Sequence, residues 1–234
     1  MTSTRRLIVN ADDFGQSAGI NRGVAEAHEN GVVTSASLMV CWPDAPAAVA
    51  SAKRWKGFSI GLHIDLGEWT YRDGTWRPYY ERVPIRDAGA VAAEIDAQLN
   101  AFRALVGRDP THLDSHQHVH LREPVRQLLL ERTDRLGVPI RDVRGDVLYR
   151  GTFYGLQREG KPQPDAISCE GFLQGASIPG GTTVEVSCHP ASEVDFESMY
   201  ALERLNELHV LCDPRLRAAL SEVGLELASF HDLD

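Results

Sequence analysis

Leu7-Ile8-Val9-Asn10-Ala11-Asp12-Asp13-Phe14-Gly15 is a short apolar run that ends in two adjacent carboxylates and a glycine. Three apolar residues in succession read as a strand about to be buried, and the acids arrive where that strand leaves the core. Two roles fit them. Asp is a favoured helix N-cap, and apolar-periodic residues resume near Ile20; acids at a strand exit also suit coordination or catalysis. The stretch alone leaves both open.

Outward from it, strand and helix patterns alternate. Residues 19–30 read as a helix with Ile20, Val24 and Ala27 at helical spacing and Gly31 as its stop. Residues 34–40 read as a second strand, Pro43 opens a helix through Ala45, Val49 and Ala52, and residues 58–64 form a third strand after Gly57. Helices are expected over 91–106, 123–136, 196–208 and 214–222, and strands over 111–115, 138–143, 183–187 and, briefly, near 166–169 and 225–229. This order, with strand runs more apolar than alternating, marks a parallel sheet covered by helices. The expected fold is therefore α/β, a (β/α) barrel that is distorted or seven-stranded, in preference to an open doubly wound sheet. With 234 residues and no linker, repeat or low-complexity tract, residues 1–234 read as one domain.

Two intervals resist this pattern. Residues 66–86 are polar and turn-rich, expected to be a long loop, yet they hold Trp69, Tyr71, Trp76, Tyr79 and Tyr80. Those rings could stack on a sugar or fasten the loop to the barrel rim. Residues 145–181, containing Gly, Pro and Gln, offer little beyond the short strand near 166–169.

Composition narrows the partners. The net charge of −9 argues against a nucleic-acid surface, which needs clustered Lys and Arg, so a small or neutral ligand fits better. The apolar run behind Arg5 and Arg6 is too short for a signal peptide, and no later segment reaches the roughly 18 apolar residues of a membrane span; a cytoplasmic chain without a membrane partner is expected. Cys41, Cys169, Cys188 and Cys212 share no C-x-x-C spacing and are expected as buried, reduced thiols. The oligomeric state stays open, with a homodimer as the candidate assembly.

Strand parity places the polar residues. In residues 58–65, Ser59, Gly61, His63 and Asp65 share the face opposite the large apolar residues. In residues 111–120, His112, Asp114, His116, His118 and His120 share one parity; a helical turn after Ser115 would instead pair His116 with His120. In residues 183–190, Glu185, Ser187 and His189 share a face. Three strands thus deliver imidazoles near their C-terminal ends, where parallel barrels carry their active sites and where the Asp pair also sits. A carboxylate with two neutral imidazoles and open positions suits a divalent metal that also binds water or substrate. Four His within nine residues, joined by His63 and His189, favour chemistry over capping.

Asn10-Ala11-Asp12-Asp13-Phe14-Gly15, Gly61-Leu62-His63, Thr111-His112-Leu113-Asp114-Ser115-His116-Gln117-His118-Val119-His120 and Cys188-His189-Pro190 together resemble the motif set of the YdjC-like carbohydrate deacetylases, the family that includes chitooligosaccharide deacetylase. The resemblance runs from Leu7 to about Pro190. It implies a (β/α) barrel of the glycoside hydrolase/deacetylase type and metal-dependent removal of acetyl from an N-acetylated sugar. By that resemblance Asp13, His63 and His116 hold one divalent ion, magnesium or zinc before manganese, cobalt or nickel; Asp12 is the general base and His189 the general acid. His118 and Trp69 are candidate substrate contacts, although His118 or His120 could replace His116 as ligand. Asp114 could orient an imidazole or serve as a cap or surface acid, and His112 is expected to be structural. Arg141 and Arg144 are expected to be solvated or salt-bridged. The motif departs from the family where Ala191 follows Pro190 in place of a frequent glycine. Rival readings are a metal hydrolase of another bond, such as a phosphoester, and a barrel that binds sugar without turnover.

Overall fold

The computed structural model describes residues 5–177 and 181–233. β1 (Arg5–Phe14) carries both acids inside its last three residues, and from Leu7 to Phe14 it is wholly buried. α1 (Ala18–Glu29) begins at Ser17, whose hydroxyl accepts the Ile20 N–H at 3.2 Å. The helix is therefore capped without Asp12 or Asp13, which removes the bland alternative for the pair.

β2 (Ser35–Leu38), α2 (Ala45–Ala52) and β3 (Ser59–Ile64) follow as the pattern predicts. The expected loop at 66–86 is instead an antiparallel hairpin, β4 (Gly67–Arg72) and β5 (Thr75–Glu81). Its turn is Asp73-Gly74, both at positive φ, the pairing that a tight hairpin with right-handed twist requires. β4 alternates, with Glu68 and Thr70 buried and Trp69 and Tyr71 half-buried, so half of a polar-looking segment faces inward.

α3 (Ala88–Val106), β6 (Leu113–Ser115), α4 (Val125–Leu136), β7 (Val147–Arg150), α5 (Cys169–Ala176), β8 (Thr183–Cys188), α6 (Leu202–Leu211), α7 (Pro214–Glu222) and β9 (Leu225–Ala228) complete the chain. Four expectations change here. Residues 138–143 form no strand; Ile140 alone makes isolated bridges to Leu113 and Arg144, and the strand of this region is β7. Residues 166–169 form no strand; Ala166 ends a 3₁₀ turn and Cys169 starts α5, capped by Ser168, whose hydroxyl accepts the Gly171 N–H at 3.0 Å. The helix expected from 196 starts only at Leu202; ahead of it Ser198 and Tyr200 bond Glu68 and Glu207 through their side chains. Of the four free cysteines only Cys188 is buried, and Cys41 is exposed.

The strands form one seven-stranded parallel sheet in the order β6-β3-β2-β1-β8-β7, with β9 also paired to β1. β9 takes the Arg5–Ile8 part of one β1 edge and β2 takes the part from Asn10 onward. β1 is thus the strand on which the sheet is built. Among the described residues no ladder joins β6 to β7; the Leu113–Ile140 bridge is the contact at that seam, so the expected distorted, seven-stranded barrel is a seven-stranded parallel sheet left unzipped there. Because all seven strands run one way, their C-terminal ends share one side, and every imidazole-bearing motif reaches it. No helix among the described residues is long and apolar enough to cross a membrane.

Gly61 on β3 fixes one packing constraint beneath the site. A Cβ there would lie 2.4 Å from the His112 ring. That ring is buried, stacks on Phe230 with centroids 3.7 Å apart and bonds Ser37 Oγ at 3.0 Å. Burial pushes His112 down to about 3, so it packs as a neutral ring. Gly61→Ala is expected to destabilise the fold by about 1–3 kcal/mol, the cost of overpacking, read as a lower urea midpoint. An unchanged midpoint would mean that His112 gives way freely.

Candidate active site

Asp13 leaves β1 at φ 62, a left-handed conformation that Asp tolerates better than most residues and that turns its carboxylate out of the strand line. Its Oδ1 lies 3.2 Å from His63 Nε2 and 3.0 Å from His116 Nδ1, and its Oδ2 accepts from Arg204 Nη2 at 2.6 Å. Burial would raise this carboxyl, but the Arg204 guanidinium and His116 outweigh burial and hold it well below the usual carboxylate range. Burial would lower His116, but Asp13, aided by Glu68, brings it up to about 9. His63 rises too, because Asp114, bonded to its Nδ1 at 2.7 Å, overcomes the burial that opposes it. Asp13, His63 and His116 each offer a ligand atom, all within 4.8 Å of one another. Two imidazole lone pairs and a carboxylate meet stably only around a proton or a cation. The donor set suits a divalent metal ion.

Asp12 lies beside this cluster in a different electrostatic setting. Arg141 clamps it with two bonds of 2.6 and 2.7 Å, and Asn10 Nδ2 donates to Oδ1 at 2.9 Å. Burial raises Asp12, yet Arg141 outweighs it and keeps the carboxyl below its ordinary value. The same guanidinium, 4% exposed, also pairs with Asp114 at 2.6 Å and Glu185 at 2.6 Å. Arg141 is thus salt-bridged deep in the protein, whereas Arg144 pairs with Asp134 at the surface. Asp114 is no surface acid: it is fully buried and holds His63.

His189, just past β8, places Nε2 3.8 Å from Asp12 Oδ2 and Nδ1 3.8 Å from Glu207 Oε1. Its backbone N–H donates to Glu207, and its ring meets Tyr154 and Tyr200 edge-on at 5.3 and 5.5 Å. The structure thus brings Asp12, Asp13, His63, His116 and His189 together.

The residues after β6 obey neither expected pattern. Gln117 and His118 both adopt left-handed φ, so the parity of an extended chain and the helical pairing of His116 with His120 both fail. The turn sends the imidazoles to different places. His116 reaches Asp13; His118 Nε2 lies 3.3 Å from the Tyr149 hydroxyl, with burial lowering it to about 4; His120 turns back to Ser115 Oγ at 2.7 Å and the Arg141 carbonyl at 3.2 Å. Trp69 is half-buried against the core, and its backbone pairs with the Gln117 side chain through bonds of 2.9 Å each way.

The sequence assigns no role to Arg204, Glu207 or Glu68, and Asn10 stands in the quoted motif without one. One signal was available: on α6, Arg204 and Glu207 share the buried stripe with Leu208 and Leu211, and charges on an apolar stripe need partners.

A family model described as YdjC-like protein matches residues 6–222. A carbohydrate deacetylase of Geobacillus stearothermophilus is 35% identical over 97% of this chain and 98% of its own, and a chitooligosaccharide deacetylase of Serratia marcescens is 34% identical with the same coverage. Among solved structures, a protein of Enterococcus faecalis V583 named for cellobiose-phosphate cleavage gives a TM-score of 0.74 at 26% identity over 98% of both chains. A family 4 carbohydrate esterase from Streptomyces lividans, in complex with acetate, covers 97% of this chain and 92% of its own at TM-score 0.55 and 14% identity, a likeness of fold alone. With the family model spanning nearly the whole chain and curated relatives aligned end to end, the chain belongs to the YdjC-like family.

Proposed function

We propose that the chain is a hydrolase that removes the N-acetyl group from an acetylated amino sugar or oligosaccharide, releasing acetate. The observation that carries this reading is the carboxylate pair of β1: one acid joins two imidazoles, while its neighbour is held ionised by Arg141, with a third imidazole 3.8 Å away. In this reading Asp13, His63 and His116 hold one divalent ion, zinc or magnesium. Such an ion supplies Lewis acidity, which makes an unreactive amide carbonyl electrophilic.

The chain's own residues supply the rest. Asp12 takes a proton from the attacking water as the new C–O bond forms; Arg141 and Asn10 fix both of its oxygens and keep it unprotonated near neutral pH, at some cost in basicity. His189 gives a proton to the sugar nitrogen as the C–N bond breaks, and Glu207 with the Tyr154 and Tyr200 rings holds the imidazole for that transfer. In this reading His118 and Trp69 contact the substrate. Curated relatives named as carbohydrate and chitooligosaccharide deacetylases support the substrate class. A phosphoester substrate is disfavoured because Arg141 and Arg204, the guanidiniums within the site, are already paired with buried carboxylates.

Incubation with N-acetylated chitooligosaccharides is expected to yield acetate and free amine in equal amounts, abolished by a chelator and restored by Zn²⁺ or Mg²⁺. A chain that bound metal and sugar yet released no acetate across a panel of acetylated sugars would overturn the reading.

A further inference from the structure

We propose that Glu68, on the β4–β5 hairpin, is the positioning carboxylate of His116, so that the hairpin is part of the apparatus that holds the metal. The proposal rests on the ligand set given above and deepens it by assigning the nitrogen that each imidazole presents.

The two histidines are held in opposite senses. His63 bonds Asp114 through Nδ1 at 2.7 Å and turns Nε2 toward Asp13. His116 turns Nδ1 toward Asp13 at 3.0 Å, which leaves Nε2 pointing away. A ligating imidazole almost always donates its other ring N–H to a carboxylate, carbonyl or water, which fixes tautomer and ring orientation. Asp114 does this for His63. For His116 the corresponding atom is Nε2, which among the described residues is buried without a partner at full hydrogen-bond geometry and lies 3.5 Å from Glu68 Oε2.

Glu68 has matching needs. It is 3% exposed, and its Oε1 accepts from Ser198 Oγ at 3.3 Å. A neutral hydroxyl does not compensate a buried carboxylate, which calls for a charged or strongly donating partner. His116 is the imidazole within reach, so each group supplies what the other lacks. The site then contains two parallel relays, Asp114 to His63 and Glu68 to His116, that meet on Asp13.

The hairpin that delivers Glu68 is pinned on both sides. Gln117, in its left-handed turn, bonds the Trp69 N–H and carbonyl as a neighbouring strand would. Asp65, just before β4, accepts from Tyr80 Oη at 2.8 Å, Arg82 Nε at 2.7 Å and Trp42 Nε1 at 3.0 Å. Gln117 directly follows His116, so the clamp sets the hairpin and the ligand turn in one register.

The test uses the full chain stripped of metal and titrated with zinc ion alone, read by calorimetry, together with ¹⁵N–¹H NMR of ¹⁵N-histidine protein loaded with zinc. Glu68→Gln is expected to weaken zinc binding about 10- to 100-fold with unchanged circular dichroism, and Gln117→Ala to weaken it in the same direction by less. In the wild-type spectrum His116 is expected to carry its proton on Nε2, and His63 on Nδ1. Unaltered zinc affinity in Glu68→Gln, or His116 protonated on Nδ1, would overturn the Glu68 assignment while leaving the ligand set intact. A wild-type chain that bound neither zinc nor magnesium ion, titrated in turn, would overturn the ligand set and the Glu68 assignment together. The spectrum needs no variant, so a substitution that failed to fold would leave the assignment open to refutation.

Discussion

Asp13→Asn is expected to lose tight metal binding and to cut acetate release by about three orders of magnitude, whereas Asp12→Asn keeps the metal and loses about 100- to 10,000-fold in kcat. The two residues are neighbours of identical chemistry, so the difference comes only from surroundings. Asp13 Oδ1 sits between His63 Nε2 and His116 Nδ1, and the amide of Asn would put no negative charge there to hold a cation. Several kcal/mol of Lewis-acid stabilisation then disappears, and about 1.4 kcal/mol corresponds to each factor of ten. Asp12 is held by Arg141 and Asn10, so its conversion to Asn removes the proton acceptor while Arg141 keeps Asp114 and Glu185 as charged partners. Metal content by elemental analysis and acetate release by an enzyme-coupled assay separate the roles. Zinc lost from Asp12→Asn and retained by Asp13→Asn would reverse the assignment.

What the sequence disclosed depended on how local the causes were. The apolar run of β1, the buried faces of α1 and α3 and the strand β8 follow from residues adjacent in the chain or one helical turn apart, and all formed where expected. The hairpin was hidden because its inward positions, Glu68 and Thr70, are polar, and their burial depends on partners elsewhere, such as Ser198. Only Asp73-Gly74 announced the turn. The site divided in the same way. That Asp13, His63 and a histidine after β6 come to one side could be read from the alternation of elements, but the choice of His116 among its neighbours came only from the family resemblance. Arg141 and Arg204 could not be placed, since they meet Asp12 and Asp13 across 129 and 191 residues of chain. The fates of His118 and His120 turned on two left-handed residues in a row, which no propensity for Gln or His predicts.

Arg141→Met should have the largest effect on stability of any single change in the molecule, and an effect whose pH dependence is opposite to that of ordinary acid denaturation. The Met side chain fills much of the same volume, but Asp12, Asp114 and Glu185 lose the one guanidinium that all three share. Removing one partner of a buried ion pair typically costs about 3–5 kcal/mol, a large share of the roughly 5–15 kcal/mol that holds a domain folded. The sign follows from the protons. With Arg141 present, Asp12 and Asp114 lie below their ordinary values, so the stability they contribute is present above about pH 4 and is lost as pH falls through their lowered values. Glu185 already goes the other way: burial lifts it to about 7 against the opposing pull of Arg141. Without the guanidinium, burial and mutual repulsion raise all three carboxyls, Glu185 furthest because Asp114 keeps its bond to His63. The folded state then binds more protons than the unfolded chain, and stability falls as pH rises through the interval between the two sets of values. Urea midpoints measured from pH 5 to pH 8 are therefore expected to decline with pH in Arg141→Met far more steeply than in the wild type. Parallel profiles for the two proteins would mean that the three carboxylates find compensation elsewhere, and that Arg141 is not the common counter-charge of the site.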